Sequence, residues 1–446
     1  MFGKAIGIFS GGFVGIAVVL AGYLLLFPPD LLRVGTNYSA KIVCSNVFIA
    51  GREPDEVLSV DVQAPGHPLL KQISIDVDRE AQIVEARLFK IFAPAISQYR
   101  EGLGCTNVHS AGLSNQTLAA SPDLPDGIWP LGNDVELFEN PRIAEALSDE
   151  ALLGEGYRAI VVVRNGRIVG ERYAQGFDET TPLLGWSMTK TVTASLIGTL
   201  VQSGEMSLGE SLVESFPDWA QDGRGDITVA DMLAMSSGLE WNEDYGDVSD
   251  VTRMLYLKDD QAGFASERPA ESETGRVFNY SSGTSTILSR VWQDKLNDGG
   301  LSYPKEALFE PLGMTSVVLE TDATDIFVGS SYMYAAARDW ARFGQFLLQQ
   351  GVWQGQQILP KGFTNWMFEP VAESDGKYGK GHLWIEAPGD LPPFEDAVWL
   401  QGHDGQSIGI FPSYDMVVVR LGLTPSKLGY SPLPLAKELI AAFESQ

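Results

Sequence analysis

A serine three residues ahead of a lysine can do nucleophilic chemistry when a helix begins at the serine. Ser187-Met188-Thr189-Lys190 has this spacing. A serine hydroxyl is a weak nucleophile at neutral pH and needs a base. On a helix, positions i and i+3 share a face, so Lys190 can direct its amine at the Ser187 hydroxyl. Burial and a nearby cation lower a lysine pKa until the neutral amine is available. The free amide at the helix start can help to polarise a bound carbonyl. Ser187 also reads as a plain helix cap, and the spacing alone is weak, because Ser302-Tyr303-Pro304-Lys305 repeats it. There Pro304 breaks the geometry, and Ser302 is expected to cap the helix that follows.

Two further clusters carry compatible chemistry. In Tyr280-Ser281-Ser282, a tyrosine beside a lysine can shuttle a proton to a leaving group, its phenolate favoured by the ammonium. Ser282 can donate a hydrogen bond to lysine or substrate. His403-Asp404-Gly405 is expected on an edge strand beside the serine. Gly405 would permit close substrate approach, and the amide of Gln406 can complete an oxyanion hole. Taken singly, Tyr280 reads as a loop tyrosine and His403 equally as a structural histidine. Lys377-Tyr378-Gly379 has a comparable form and reads as a loop leading into the inner strand at Leu383-Trp384-Ile385.

The elements that must position these residues are legible around them. Ala159–Arg164 and Arg167–Tyr173 are β-rich runs joined by Asn165-Gly166, a hairpin signal because both turn residues tolerate positive φ. A helix is expected from Ser187 to about Ser203, stopped at Gly204. Thr228–Met235 opens with a capping-box pattern. Ala335–Gln350 reads as an amphipathic helix, Ile408–Phe411 and Met416–Leu421 as paired strands, and Pro434–Phe443 as a terminal helix. Upstream, residues 31–120 read as a small β-rich neck with strands at Ile73–Val77 and Ile83–Phe89, followed by a linker at 121–127.

Composition bounds the rest. The 446 residues are 44% hydrophobic and 20% charged, an ordinary globular balance. Lys and Arg total 31 against 58 Asp and Glu, for a net charge of −27, a surface that repels phosphate backbones, so no nucleic-acid partner is expected. Ala5–Phe27 is uncharged and long enough to cross a bilayer, and is read as an uncleaved transmembrane anchor. Cys44 and Cys105 have no CxxC neighbour and no clustered histidine, which disfavours a metal site; they are read as a disulfide in an exported domain.

Taken together, Ser-x-x-Lys on a helix after a hairpin, Tyr-x-Ser, then His-x-Gly before a terminal hairpin and helix resembles the serine β-lactamase and penicillin-binding-protein superfamily. The likeness is to its class C and esterase-like branch, over roughly residues 125–446. Residues 231–239 and Pro311-Leu312-Gly313-Met314 are similar to stretches of that superfamily. Residues 337–344 and the run Trp241-Asn242-Glu243-Asp244-Tyr245 resemble its nylon-oligomer (6-aminohexanoate-dimer) hydrolase subgroup. The resemblance implies an α/β (α+β) fold, with an antiparallel sheet flanked by helices and an all-helical subdomain. It implies an acyl-enzyme on Ser187, Lys190 and Tyr280 as the acid–base pair, and the amides of Ser187 and Gln406 around the oxyanion. No metal or organic cofactor is called for. Ser282 stands where the superfamily commonly has Asn, and His403 where it commonly has a Lys that binds a substrate carboxylate. Small amides or esters are therefore the expected substrates rather than β-lactams. The alternatives are a D-alanyl-D-alanine carboxypeptidase or weak β-lactamase, and a membrane-tethered sensor that binds an acyl compound or cell-wall fragment without turnover. The expected location is the inner membrane, single-pass, with the catalytic domain extracytoplasmic.

Overall fold

Buried polar side chains accompany an apolar stripe of Ala40, Val43, Cys44 and Val47 on the helix α1 (Asp30–Phe48). Thr36, Asn37, Ser39 and Asn46 hydrogen-bond to carbonyls one turn back in the helix. This satisfies them locally and lets them be buried. Buried Lys41 donates from Nζ to the Cys105 carbonyl at 2.5 Å. α1 packs on β2 and β3 of an antiparallel sheet ordered β1 (Ile73–Asp78), β2 (Ile83–Leu88), β3 (Phe92–Arg100), β4 (Gly104–Val108). A disulfide joins Cys44 of α1 to Cys105 of β4. The computed structural model describes residue 19 and residues 21–64, 66–110, 112–136, 140–296, 300–385 and 394–444. Most of the Ala5–Phe27 segment read as a membrane anchor lies outside these; among the described residues no helix is long and apolar enough to cross a membrane.

The chain divides into two compact units. The smaller comprises Met1–Arg100, Cys105–Leu113 and Asp244–Asp259; the larger comprises Glu101–Gly104, Ser114–Glu243 and Asp260–Gln446. Asp244–Asp259, which lies within the 125–446 hydrolase region of the sequence reading, thus belongs to the smaller unit. It carries the helix Asp250–Leu257, whose Tyr256 meets Tyr38 of α1 edge-on.

The larger unit is built on a seven-stranded antiparallel sheet. Its strands are β5 (Tyr157–Arg164), β6 (Arg167–Tyr173), β7 (Tyr378–Gly379), β8 (Leu383–Trp384), β9 (Val398–Gly402), β10 (Gln406–Phe411) and β11 (Met416–Gly422). Their order is β7-β8-β9-β10-β11-β5-β6. The Asn165-Gly166 turn has φ of 50° and 70°, as the hairpin signal requires. β5 and β11 are near-continuous apolar runs because both faces of the sheet are covered. Ile160, Val162 and Val418 join the terminal helix and the helix Pro141–Ser148 in one core. On the other face, Gly344 in the helix Ala337–Leu348 comes so close to Val417 that a Cβ would sit 2.6 Å from its Cγ1. The helix α2 (Thr189–Ser203) is buried over most of its length, with Gly204 in the left-handed region as its stop. The helix α3 (Ser282–Asp294) packs against it. The capping box expected at Thr228 and Asp231 is formed.

Candidate active site

The nucleophile candidate sits where the short strand Leu183–Leu184 turns into α2. A single 3-10 turn, Trp186–Met188, intervenes, and Trp186 has φ +48°. A bulky residue rarely occupies this left-handed region, and such strain concentrates at functional sites. Close packing fixes the turn. A Cβ on Gly185 would lie 2.2 Å from the Trp340 ring, and one on Gly402, at the end of β9, would lie 2.2 Å from the Gly185 carbonyl. The end of the sheet is thereby brought against the start of α2.

The structure brings Ser187, Lys190, Tyr280 and Ser282 together. Lys190 is fully buried, and its Nζ lies 3.1 Å from Ser187 Oγ, 3.0 Å from Ser282 Oγ and 2.9 Å from the Ser330 carbonyl. Tyr280 hydrogen-bonds Ser187, and its ring centroid lies 4.9 Å from Lys190 Nζ. Trp384 stacks on Tyr280 at 5.5 Å, and Tyr378 meets it edge-on at 5.8 Å. Lys377-Tyr378-Gly379, read from sequence as a loop, thus supplies both the edge strand β7 and one wall of the site.

Loss of water around Lys190 lowers its pKa to about 8, with Glu243 pulling in the opposite direction. Burial pushes the Tyr280 phenol above its ordinary value, and Glu243 adds to the rise, while the bond with Ser187 partly opposes it. This corrects the expectation that the lysine favours a phenolate: the site favours the neutral phenol. His382, at the start of β8, is buried beside Lys190 and held neutral, its pKa pushed down to about 3 chiefly by burial. Its carbonyl accepts from Thr191 Oγ1 at 2.7 Å, which ties α2 to the sheet.

Glu243 is the residue whose importance the sequence reading missed, although it lies within the quoted run 241–245. Its carboxylate accepts from Ser282 Oγ at 2.5 Å, Ser282 N at 2.9 Å and Trp241 Nε1 at 2.5 Å. Ser282 therefore bridges the Lys190 amine and a carboxylate. The usable signal was an acidic residue two positions after a tryptophan in a run already singled out.

His403, Asp404 and Gly405 form the turn between β9 and β10 rather than an edge strand; the edges of the sheet are β7 and β6. His403 lies edge-on to Trp186 at 5.6 Å, its side chain 47% exposed and Nε2 3.4 Å from Asp404 Oδ1. Gly405 has φ +80°, and a Cβ there would meet Arg420 Nη1 at 2.9 Å. The glycine is thus required by backbone conformation and by Arg420, whose Nη1 donates to the Gly405 carbonyl. The Gln406 side chain clamps this turn to β11. Its Nε2 donates to the carbonyls of His403 and Gly422, and its Oε1 accepts from Gly422 N.

Ser302 and Lys305 take no part in this site. Ser302 caps no helix through its side chain, contrary to the expectation; its carbonyl accepts from Glu306 N, and Lys305 Nζ donates to the carbonyls of Ala119 and Ala120. Among the described residues no group of acidic, histidine or cysteine side chains could hold a metal ion.

Residues 155–427 match the Beta-lactamase family. The chain belongs to the beta-lactamase family. This family match makes it a serine hydrolase of the superfamily that the order of its boxes resembles. It is 23% identical over 296 residues to a 6-aminohexanoate-dimer hydrolase of Paenarthrobacter ureafaciens, covering 60% of this chain and 72% of that one. Among solved structures, a Bacillus anthracis protein described as a 6-aminohexanoate-dimer hydrolase shares the fold with a TM-score of 0.56. The identity is 23%, over 72% of this chain and 87% of that one. A family VIII carboxylesterase superposes with a TM-score of 0.53 at 15% identity, over 69% and 98%.

Proposed function

We propose that this protein hydrolyses small amides or esters through an acyl-enzyme on Ser187. The observation that carries this reading is the buried Lys190 amine, 3.1 Å from Ser187 Oγ, with a pKa lowered to about 8. At pH 7 that value leaves about 9% of the lysine neutral, against about 0.03% for an exposed one. Neutral Lys190 takes the proton as Ser187 Oγ bonds to the carbonyl carbon. The amides of Ser187 and Gln406 hold the developing oxyanion. Tyr280, kept as a phenol, gives its proton to the departing amine or alkoxide as the C–N or C–O bond breaks, and is reprotonated from Lys190. Water then attacks the acyl-enzyme, losing a proton to the same pair, and returns Ser187 and a carboxylic acid.

His403 stands beside a carboxylate, Asp404, where tight binding of an anionic substrate needs a permanent cation such as lysine. This supports small acyl esters and aminohexanoate-like amides over β-lactams. The named activities of the Paenarthrobacter relative and the carboxylesterase agree in reaction class. The Ala5–Phe27 run and the Cys44–Cys105 disulfide support a chain tethered to the inner membrane with its hydrolase unit outside the cytoplasm. The test is a panel of p-nitrophenyl esters, amides, D-amino-acid peptides and β-lactams with the purified chain and its S187A variant. Ester or amide turnover lost in S187A is expected. Turnover confined to β-lactams or D-alanyl-D-alanine peptides would replace this reading, and acylation without deacylation would favour the sensor.

A further inference from the structure

Two groups of exposed large apolar side chains in the smaller unit lie at one end of it, while Val60, 43% exposed, is not among them. Leu26, Phe27 and Leu31 are 74%, 64% and 45% exposed where the chain leaves the apolar Ala5–Phe27 run and enters α1. Phe89 and Ile91, in the turn between β2 and β3, are 53% and 54% exposed. The two groups share an end. Gly35, one turn beyond Leu31, approaches Leu70 and Ile73, so that a Cβ there would lie 3.4 Å and 3.9 Å from their side chains. Ile73 pairs with Leu88, and Phe89 N donates to the Gln72 carbonyl at 2.9 Å.

The turn itself is unusual. Phe89 and Lys90 have φ of 50° and 65°, consecutive left-handed residues at positions where Asn and Gly are the low-cost choices. The strained turn holds Phe89 and Ile91 outward in water on either side of Lys90, and Lys71, also exposed, adjoins Gln72. The turn at the other end of β2, Asp78 to Gln82, is polar and carries Asp78, Arg79 and Glu80. One end of β2 is therefore apolar and cationic, and the other is polar with two carboxylates and one guanidinium, in a chain whose net charge is −27.

We infer that the Phe89–Ile91 tip is a membrane contact, resting in the headgroup layer of a glycerophospholipid bilayer with Lys90 and Lys71 directed at anionic phosphates. An aromatic ring and an aliphatic side chain beside lysines suit that layer, since the apolar parts sink and the ammonium groups reach back to the headgroups. The contact would be weak alone. The apolar run entering at the same end makes it intramolecular in effect, which raises its local concentration against the bilayer. The inference rests on reading that run as an anchor, and the experiment separates the two.

The described chain has no free cysteine, so F89C and, separately, E80C in the full chain each accept one environment-sensitive nitrobenzoxadiazole label. The labelled proteins are reconstituted in vesicles of phosphatidylcholine and phosphatidylglycerol, with and without doxyl-labelled lipid. The expected result is a blue shift and loss of fluorescence to doxyl lipid at position 89, neither at position 80, and a smaller loss at 89 when K71E and K90E are added. A chain that floats with the vesicles while position 89 stays as water-exposed as position 80 overturns the contact and leaves the anchor standing. A chain that does not float overturns both. A blue shift at 89 that needs no lipid and grows with protein concentration identifies a second copy of the chain as the occupant and overturns the membrane assignment.

Discussion

Replacing Glu243 by Gln should move the pH dependence of turnover toward acid. Lys190 acts as a base only when neutral, so kcat/KM should rise with pH through the lysine pKa, about 8 in the intact protein. Glu243 favours the ammonium, and its removal therefore lowers that pKa. The carboxylate reaches Lys190 through one hydroxyl, with steps of 3.0 Å and 2.5 Å. For charges about 5 Å apart at an effective dielectric of about 20, Coulomb's law gives about 3 kcal/mol, or about 2 pH units. Hydrogen bonding pushes the same way. A Gln carbonyl can keep the bonds from Trp241 and Ser282 N, while its amide donates to Ser282 Oγ. The Ser282 proton then turns toward Lys190 and favours the free amine. The acid limb should fall by about 1–2 pH units, read from kcat/KM for a p-nitrophenyl ester across pH 5 to 9, with thermal melting as the check on folding. A folded E243Q protein whose acid limb is unmoved or moves toward alkali would refute the role given to Lys190.

Y280F should lower amide turnover by about 10²–10⁴-fold, the usual weight of a general acid, and p-nitrophenyl ester turnover far less, because nitrophenolate leaves without a proton; equal losses on both substrates would contradict the acid role. S282A removes the bridge between Lys190 and the Glu243 carboxylate, and should lower kcat by at least about tenfold if Lys190 is the base while leaving the melting temperature within a few degrees. Paired C44S and C105S substitutions open a loop spanning 61 residues and should destabilise the smaller unit by about 2–4 kcal/mol in urea unfolding; an unchanged midpoint would contradict this.

Much of the larger unit was legible because its signals are local. Asn165-Gly166 demands positive φ, Gly204 ends α2 in the left-handed region, and Thr228 with Asp231 closes a capping box. α1 was not legible for an opposite reason. Its buried face mixes an apolar period at Ala40, Val43, Cys44 and Val47 with Thr36, Asn37, Ser39, Lys41 and Asn46, which hydrogen-bond back to the helix or across to Cys105, so polar residues obscure that period over the first half of the helix. At the site, Ser187, Lys190, Tyr280 and Ser282 could be placed together by their order along the chain. Glu243 and Tyr378 could not, since each reaches the site only through tertiary packing. Gly405 has a structural requirement that the sequence did not reveal, because the close neighbour of its missing Cβ is Arg420, which the sequence places 15 positions away.

The acyl-enzyme is the most direct test of the proposed function. The intact chain is mixed with p-nitrophenyl acetate, quenched in acid within the burst, digested and mapped by mass spectrometry. One acetyl group on the peptide carrying Ser187, absent from S187A, is the predicted result. An acetyl group on another residue, or full turnover by S187A, would contradict it.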